Sequence, residues 1–400
     1  MAENEEALGR IAACRPFVTG SVTAREALGL GDGELGHAGP PFLPGQVPPP
    51  TVLHALCGAA MHEGWARNAE TAAAMIAAGE IRLRANHELG TVSPMAGVVR
   101  PGQRLFRLED RASGATCFAT LAEKGRRVLR FGHYGPDVAE GLAFVEGSVA
   151  DAIEAALPEG GLDLLPLVAR GVELGDDVHQ RNVGGMLAFL AALAPLPRDI
   201  RDWLATHPQH FLNYAMAGAK LCLDRARGIA GSAIVTAITR NGIDCGIQIA
   251  GLDGQWFRAP ATVPVGGFFP GFLLADAHAD LGDSAIMESF GLGGCIAHCS
   301  PEIGRAMARD WPESQGAGHV MRGLFAGRSD LIAPALAGTA GVGLGLDARR
   351  VVAAEADVRI HTGISHRDGR SGWIGIGVAK APLACFTAAA AALETSNGRH

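Results

Sequence analysis

The sequence has no stretch of about 18 apolar residues free of charges and helix breakers, the length a membrane-spanning helix needs, so no transmembrane segment is predicted. It also has no run of about five Lys/Arg to trace a phosphate backbone, and its net charge is −7, which argues against nucleic acid as a partner. The opening MAENEEALGR is acidic where a secretory signal is basic, which predicts a cytoplasmic protein. No CxxC pair occurs among the eight cysteines, so they are expected to be reduced, buried small hydrophobes. Cys295, His298 and Cys299 share one turn's spacing, but no second ligand pair accompanies them. The reading is helix packing, with no metal and no cofactor. G-x-S-x-G, Walker A and H-E-x-x-H are all absent, which removes the standard hydrolase, nucleotide and zincin motifs.

Charged residues are scarce at 19%, against a usual ~25%, while glycine is abundant at 55 of 400. Much tight backbone and little solvated decoration is an enzyme-like composition. At roughly 150 residues per domain the length predicts two or three domains. The six prolines of GPPFLPGQVPPPT break the first part. After them VLHALCGAAMHEGWARNAETAAAMIAAGEIRL reads as two helices, and the segment up to CFATL reads as short strands. The stretch from 146 to 228 is helical almost throughout. From 229 on, β-branched runs flank Asn241-Gly242, a type I′ hairpin signal, and strands and helices mix again among glycine clusters such as GLGGC, GTAGVGLG and GWIGIGVAK. The predicted class is multi-domain α+β: an N-terminal α+β domain (1–145), a helical domain (146–228) and a C-terminal α+β domain (229–400).

The densest chemistry is ELGDDVHQRN, where Glu173, Asp176, Asp177, His179, Arg181 and Asn182 crowd into ten positions between apolar runs. Asp176 or Asp177 as the cap of a helix starting near Val178 explains one acid. His179, Arg181 and Asn182 at a helix start would also make an anion or carboxylamide site. Downstream, helical spacing puts Asn213 and Lys220 on one face, with Lys220 read slightly in favour of a surface position. Arg240 and Asp244 flank Asn241-Gly242, which is either a plain turn or a functional loop. In GDSAIMESFGLGG, Asp283 reads as an N-cap beside Ser284, Glu288 lies inside the helix, and the glycines permit close backbone approach. His361, Thr362 and His366 sit on what reads as a polar glycine loop, where histidines are suited to move protons.

LGHAGPP, SPMAGVV, ELGDDVHQRN, FLNYAMAGAK, VTAITRNGID, FFPGF, LGDSAIMESFGLGG, the HTGISH segment and APLACF, in this order, resemble the YlbE-like family, linked to bacterial oxamate carbamoyltransferase. The resemblance spans residues 35 to 393. It implies an α+β subunit with an inserted helical part, working in allantoin and purine nitrogen catabolism beside an FdrA-like partner subunit. It also implies transfer of a carbamoyl group from oxalurate to phosphate as co-substrate, giving oxamate and carbamoyl phosphate. Attack on a ureide carbonyl needs donors for the developing oxyanion and an acid for the leaving nitrogen. Arg181, Asn182, Arg240 and Asn241 suit the first need, and His179, Asp177 or His361 the second, with Glu173 beside them. Asn213, Lys220, Asp244, Asp283, Ser284, Glu288, Thr362 and His366 complete the expected substrate-binding set. An amidohydrolase using water in place of phosphate, and a non-catalytic scaffold or ligand-binding subunit, remain open. A homo-oligomer is expected.

Overall fold

Strand Arg104–Asp110 buries alternate side chains from Phe106 onwards, and it pairs antiparallel with Pro16–Thr23 on one side and Ala115–Ala119 on the other. These are the middle of a five-stranded sheet edged by Thr91–Val92 and Leu162–Asp163. The computed structural model describes residues 2–307, 311–332 and 341–397. Residues 338–340 of the GTAGVGLG cluster lie outside them.

The helix Gln209–Asp224 lies against this sheet and is buried from His210 to Leu223. Its Tyr214 ring meets Phe106 edge-on at 5.5 Å, and Phe211, Met216 and Leu221 join Leu108 and Cys117 in one hydrophobic cluster. Three more helices, Leu165–Glu173, Val183–Ala192 and Arg198–Thr206, pack into the same cluster. Full burial settles the position of Lys220, which was read as a surface residue. Its ammonium is 1% exposed and donates to Asp224 Oδ2 at 2.7 Å. A buried lysine persists only with such a partner.

A second sheet runs Phe257–Pro260, Asp244–Ile249, Val235–Asn241, Leu281–Gly282, antiparallel throughout. Its β-branched residues Val235, Ile238, Ile247 and Ile249 pack with Cys385, Phe386, Ala389 and Leu393 of the C-terminal helix. A third sheet holds Val265–Phe268, Trp373–Ala381 and Val358–Ser365. The chain is thus a mixed α+β fold of several small sheets around a helical middle. The HTGISH segment, expected as a loop, is the end of strand Val358–Ser365, and only His366 lies beyond it. All eight cysteines are free and buried. Among the described residues no helix is long and apolar enough to cross a membrane.

The hairpin at Asn241-Gly242 forms, but not as a type I′ turn, because only Gly242 (φ 83°) has positive φ. Asn241 stays extended and its Oδ1 accepts from Ile243 N and Asp244 N at 3.0 and 2.8 Å, so the side chain makes the turn. Arg240, 1% exposed, donates through Nε to Asp280 Oδ2 at 2.6 Å and through Nη1 to the Gly282 carbonyl at 2.5 Å. Asp280 also accepts from Thr362 Oγ1 at 2.9 Å, which ties the second sheet to the third. Removing the guanidinium leaves Asp280 as an uncompensated buried charge. Arg240→Ala is therefore expected to lower unfolding stability by about 3–5 kcal/mol, read from urea denaturation; a loss under about 1 kcal/mol would contradict this account of the contact.

Candidate active site

The ionisable groups of 173–182 are drawn inward by a loop, not by the helix start expected at Val178. The helix Leu165–Glu173 ends, and the next begins only at Val183. Between them Asp177 Oδ1 accepts from the backbone N–H groups of His179, Gln180 and Arg181 at 3.1, 3.0 and 2.8 Å. The donors expected to hold a substrate anion are thus occupied by the protein's own carboxylate. Val178, at φ 55°, is forced into a region that β-branched residues rarely adopt. Such strain persists only where surrounding structure holds it, and it concentrates at functional sites.

Two buried histidine–carboxylate pairs interlock here. His179 Nδ1 lies 2.8 and 3.0 Å from the two oxygens of Glu288, and His361 Nδ1 lies 2.6 Å from Asp177 Oδ2. The pairs are cross-linked through backbone, since His361 N donates to Glu288 Oε1 at 3.1 Å and His179 N donates to Asp177. Gly294 N donates to Glu288 at 2.8 Å, and Gly293 N donates to the Asp177 carbonyl at 2.8 Å. Burial pushes the Asp177 carboxyl up, but the His361 hydrogen bond and charge, with the Arg181 N–H, outweigh it and leave Asp177 below its ordinary value.

A cavity of about 110 Å³ opens beside the first pair, lined by His179, Gln180, Gln209, Ser284, Arg130 and Trp373, with Met95 and Gly363 among its walls. His179 Nε2 is buried without a hydrogen-bond partner among the described residues. With Nδ1 engaged by Glu288, Nε2 is the ring nitrogen left without a partner, on a residue that lines the cavity. Gln209 fixes the rim: its Nε2 donates to the Gln180 carbonyl at 2.8 Å and its Oε1 accepts from Asn182 Nδ2 at 3.1 Å.

The other expected residues divide plainly. Ser284 lines the cavity, while Asp283 lies deeper and is no helix cap. Its two oxygens accept from Gly39 N, Thr239 Oγ1, Asn86 Nδ2 and Ser93 N at 2.9, 2.6, 3.1 and 2.9 Å. The stretches LGHAGPP, SPMAGVV, VTAITRNGID and LGDSAIMESFG therefore meet at one carboxylate. Asn213 Nδ2 donates to Thr120 Oγ1 at 2.9 Å, behind the cavity. Glu173 is half exposed and paired with Arg170, and the Arg181 guanidinium lies 3.6 Å from Asp176. Asp244 accepts from Gln46 Nε2 at 3.0 Å, and His366 is held by Asp368 at 2.9 Å. None of these four, nor Lys220, Arg240, Asn241 or Thr362, lines the cavity. Asp280, Gln180, Trp373, Met95 and Arg130 were missed. Met95 lies in the SPMAGVV stretch and also carries positive φ (56°), whereas RVLRFGH around Arg130 holds no motif.

The comparisons with known proteins bear on this geometry. A family model for the oxamate carbamoyltransferase subunit AllG matches residues 81–284, just over half of the chain. The oxamate carbamoyltransferase subunit AllG of Escherichia coli K12 is 36% identical over 375 residues, covering 90% of this chain and 89% of that protein. The chain belongs to the AllG family. Another relative, the uncharacterized protein YahG of the same organism, is 30% identical over 397 residues, covering 96% of this chain and 84% of its own. The crystal structure of a conserved protein of unknown function from Enterococcus faecalis V583 superposes with a TM-score of 0.93 at 28% identity, covering 98% of this chain and 97% of that one. The family model's span takes in His179, Asp177, Asp283 and Arg130, while Glu288 and His361 fall beyond it.

Gly293 (φ 58°) runs so close to the first pair that a Cβ there would overlap Glu288 Oε1 and press on His179. Gly293→Ala is expected to cost roughly 1–3 kcal/mol and to abolish the downfield Nδ1–H proton resonance of His179; an unchanged resonance would show that the pair does not depend on this glycine. A pH effect is expected at Asp176, where burial raises the carboxyl to about 6 while Gly185 N donates to it at 2.8 Å. A raised carboxyl favours the folded state below its unfolded pKa, and that contribution is lost as pH rises to about 6. Asp176→Asn should therefore gain on the wild type between about pH 4 and 6, by on the order of 2–3 kcal/mol, in denaturation series at several pH values.

Proposed function

We propose that this chain carries the reacting centre for carbamoyl transfer between a ureide such as oxalurate and phosphate, giving oxamate and carbamoyl phosphate, in allantoin and purine nitrogen catabolism. The supporting observation is His179: Nδ1 engaged by Glu288 and Nε2 buried without a partner among the described residues, on a residue that lines a cavity, in a member of the AllG family. Hydrogen phosphate attacks the carbamoyl carbon, and the bond from that carbon to the oxamate nitrogen breaks. Nε2 takes the phosphate hydroxyl proton and returns it to the leaving nitrogen, so the reaction closes without net proton exchange. Glu288 stabilises the imidazolium that forms between the two steps. Asp177 and His361 act as positioning residues, because His361 N–H holds one oxygen of Glu288 and Asp177 shapes the loop that carries His179. The partner would be an FdrA-like subunit, in keeping with the AllG relative being a subunit.

The test is phosphate-dependent consumption of oxalurate by the chain, alone and with its partner subunits. His179→Gln is expected to lower kcat by about 10²–10⁴-fold and Glu288→Gln by less, both with near-normal melting temperature. Undiminished turnover by His179→Gln in the reconstituted complex would move catalysis to a partner. Equal turnover without phosphate would make the reaction a hydrolysis.

A further inference from the structure

Arg130 sits in the 3-10 turn Leu129–Phe131. The N–H groups of Leu129 and Arg130 donate to the two oxygens of Glu123, so the nearby carboxylate is spent on the backbone. Among the described residues the guanidinium makes no ion pair within 4 Å, although the charge of Glu123 acts on it from nearby, and Nε is buried without a partner. Arg130 and Pro94 line the outer cavity and also a second, enclosed cavity behind it, whose walls include Ser93, Thr120, Glu123, Glu146, Arg100 and Asn213. The remaining charges there are used: Arg100 pairs with Glu63 at 3.0 Å and with Glu146. Asn213, 1% exposed, binds Thr120 with one end of its carboxamide and nothing with the other. A threonine hydroxyl can donate or accept, so the amide can turn to present either Oδ1 or Nδ2 to the cavity.

We propose that Arg130 and this inner cavity form an oxyanion subsite, in which the guanidinium forks onto a small anion and Asn213 Nδ2 donates to it. A partly buried guanidinium whose Nε has no partner among the described residues, beside an unsatisfied amide, is an arrangement that such a ligand relieves. Resting on the carbamoyl-transfer reading, the anion is either the carboxylate end of the ureide or the phosphate acceptor. Either would lie beside His179, because Arg130 belongs to both cavities.

Calorimetric titration of the full-length chain with oxamate and, separately, with inorganic phosphate distinguishes the sources. Arg130→Gln is expected to weaken one of the two by about tenfold or more, Arg130→Lys by less, and Asn213→Asp, which adds a negative charge at equal size, to weaken the same ligand. Loss of oxamate binding assigns the carboxylate, and loss of phosphate binding the acceptor. If His179→Gln keeps full turnover while Arg130→Gln still loses the anion, the catalytic reading fails and the subsite stands. If wild type binds neither anion at millimolar concentration, or Arg130→Gln with a normal melting temperature binds both unchanged, the subsite is overturned.

Discussion

The site depends on one arrangement: two buried carboxylates, each shared between an imidazole and several backbone N–H groups. Neither Asp177 nor Glu288 reaches solvent. A bare carboxylate there would cost several kcal/mol, or would take up a proton. Asp177 meets the cost with three N–H groups of its own loop and His361, and Glu288 with His179, His361 N and Gly294 N. Because each histidine's backbone serves the other pair's acid, neither pair can shift alone. The strained Val178 backbone follows, since only that turn aims three N–H groups at one oxygen while sending the His179 ring the other way.

The same economy explains the composition. A chain with few charges and much glycine can bring backbone against buried ionic groups, and it does so repeatedly. Gly293 abuts Glu288, and Gly39 packs on Asn241 while its N–H donates to Asp283. Asp283 gathers four segments far apart in sequence, and Asp280 joins two sheets through Arg240 and Thr362. Asp177, Glu288, Asp280 and Asp283 serve as fasteners, each hydrogen-bonded at both oxygens, as the cost of burial requires.

That double use of acids decides what was legible in the sequence. The α+β class, the helix pair after the prolines and the hairpin at Asn241-Gly242 follow from apolar period and turn chemistry. The density of ionisable groups at 173–182 marked a loop whose His179 and Asp177 do meet Glu288 and His361. Their pairing was not legible, because the partners lie 109 and 184 residues apart and no local pattern encodes such a contact. Arg240 and Lys220 were misjudged for a related reason: a lone basic residue in an apolar run looks the same whether its acid is for substrate, for solvent or, as here, for Asp280 and Asp224. Arg130 was invisible because what marks it is the absence of a partner, a property of the folded state alone.

Lack of a partner is not sufficient, and His87 shows why. Both of its ring nitrogens are buried without hydrogen bonds, as His179 Nε2 is. Its ring, however, packs against Trp256 at 5.8 Å and lines none of the cavities described above. Burial, with the positive charges of Lys220, Arg227 and Arg240, holds it well below its ordinary value, so it stays neutral and is packed much as an apolar ring would be. Its Nε2 approaches Asp283 only to 3.8 Å, and that carboxylate is already satisfied by four donors. His179 differs in two respects: its Nδ1 meets the carboxylate of Glu288, and the residue lines a cavity. The proposed proton transfer draws on both features, and His87 has neither.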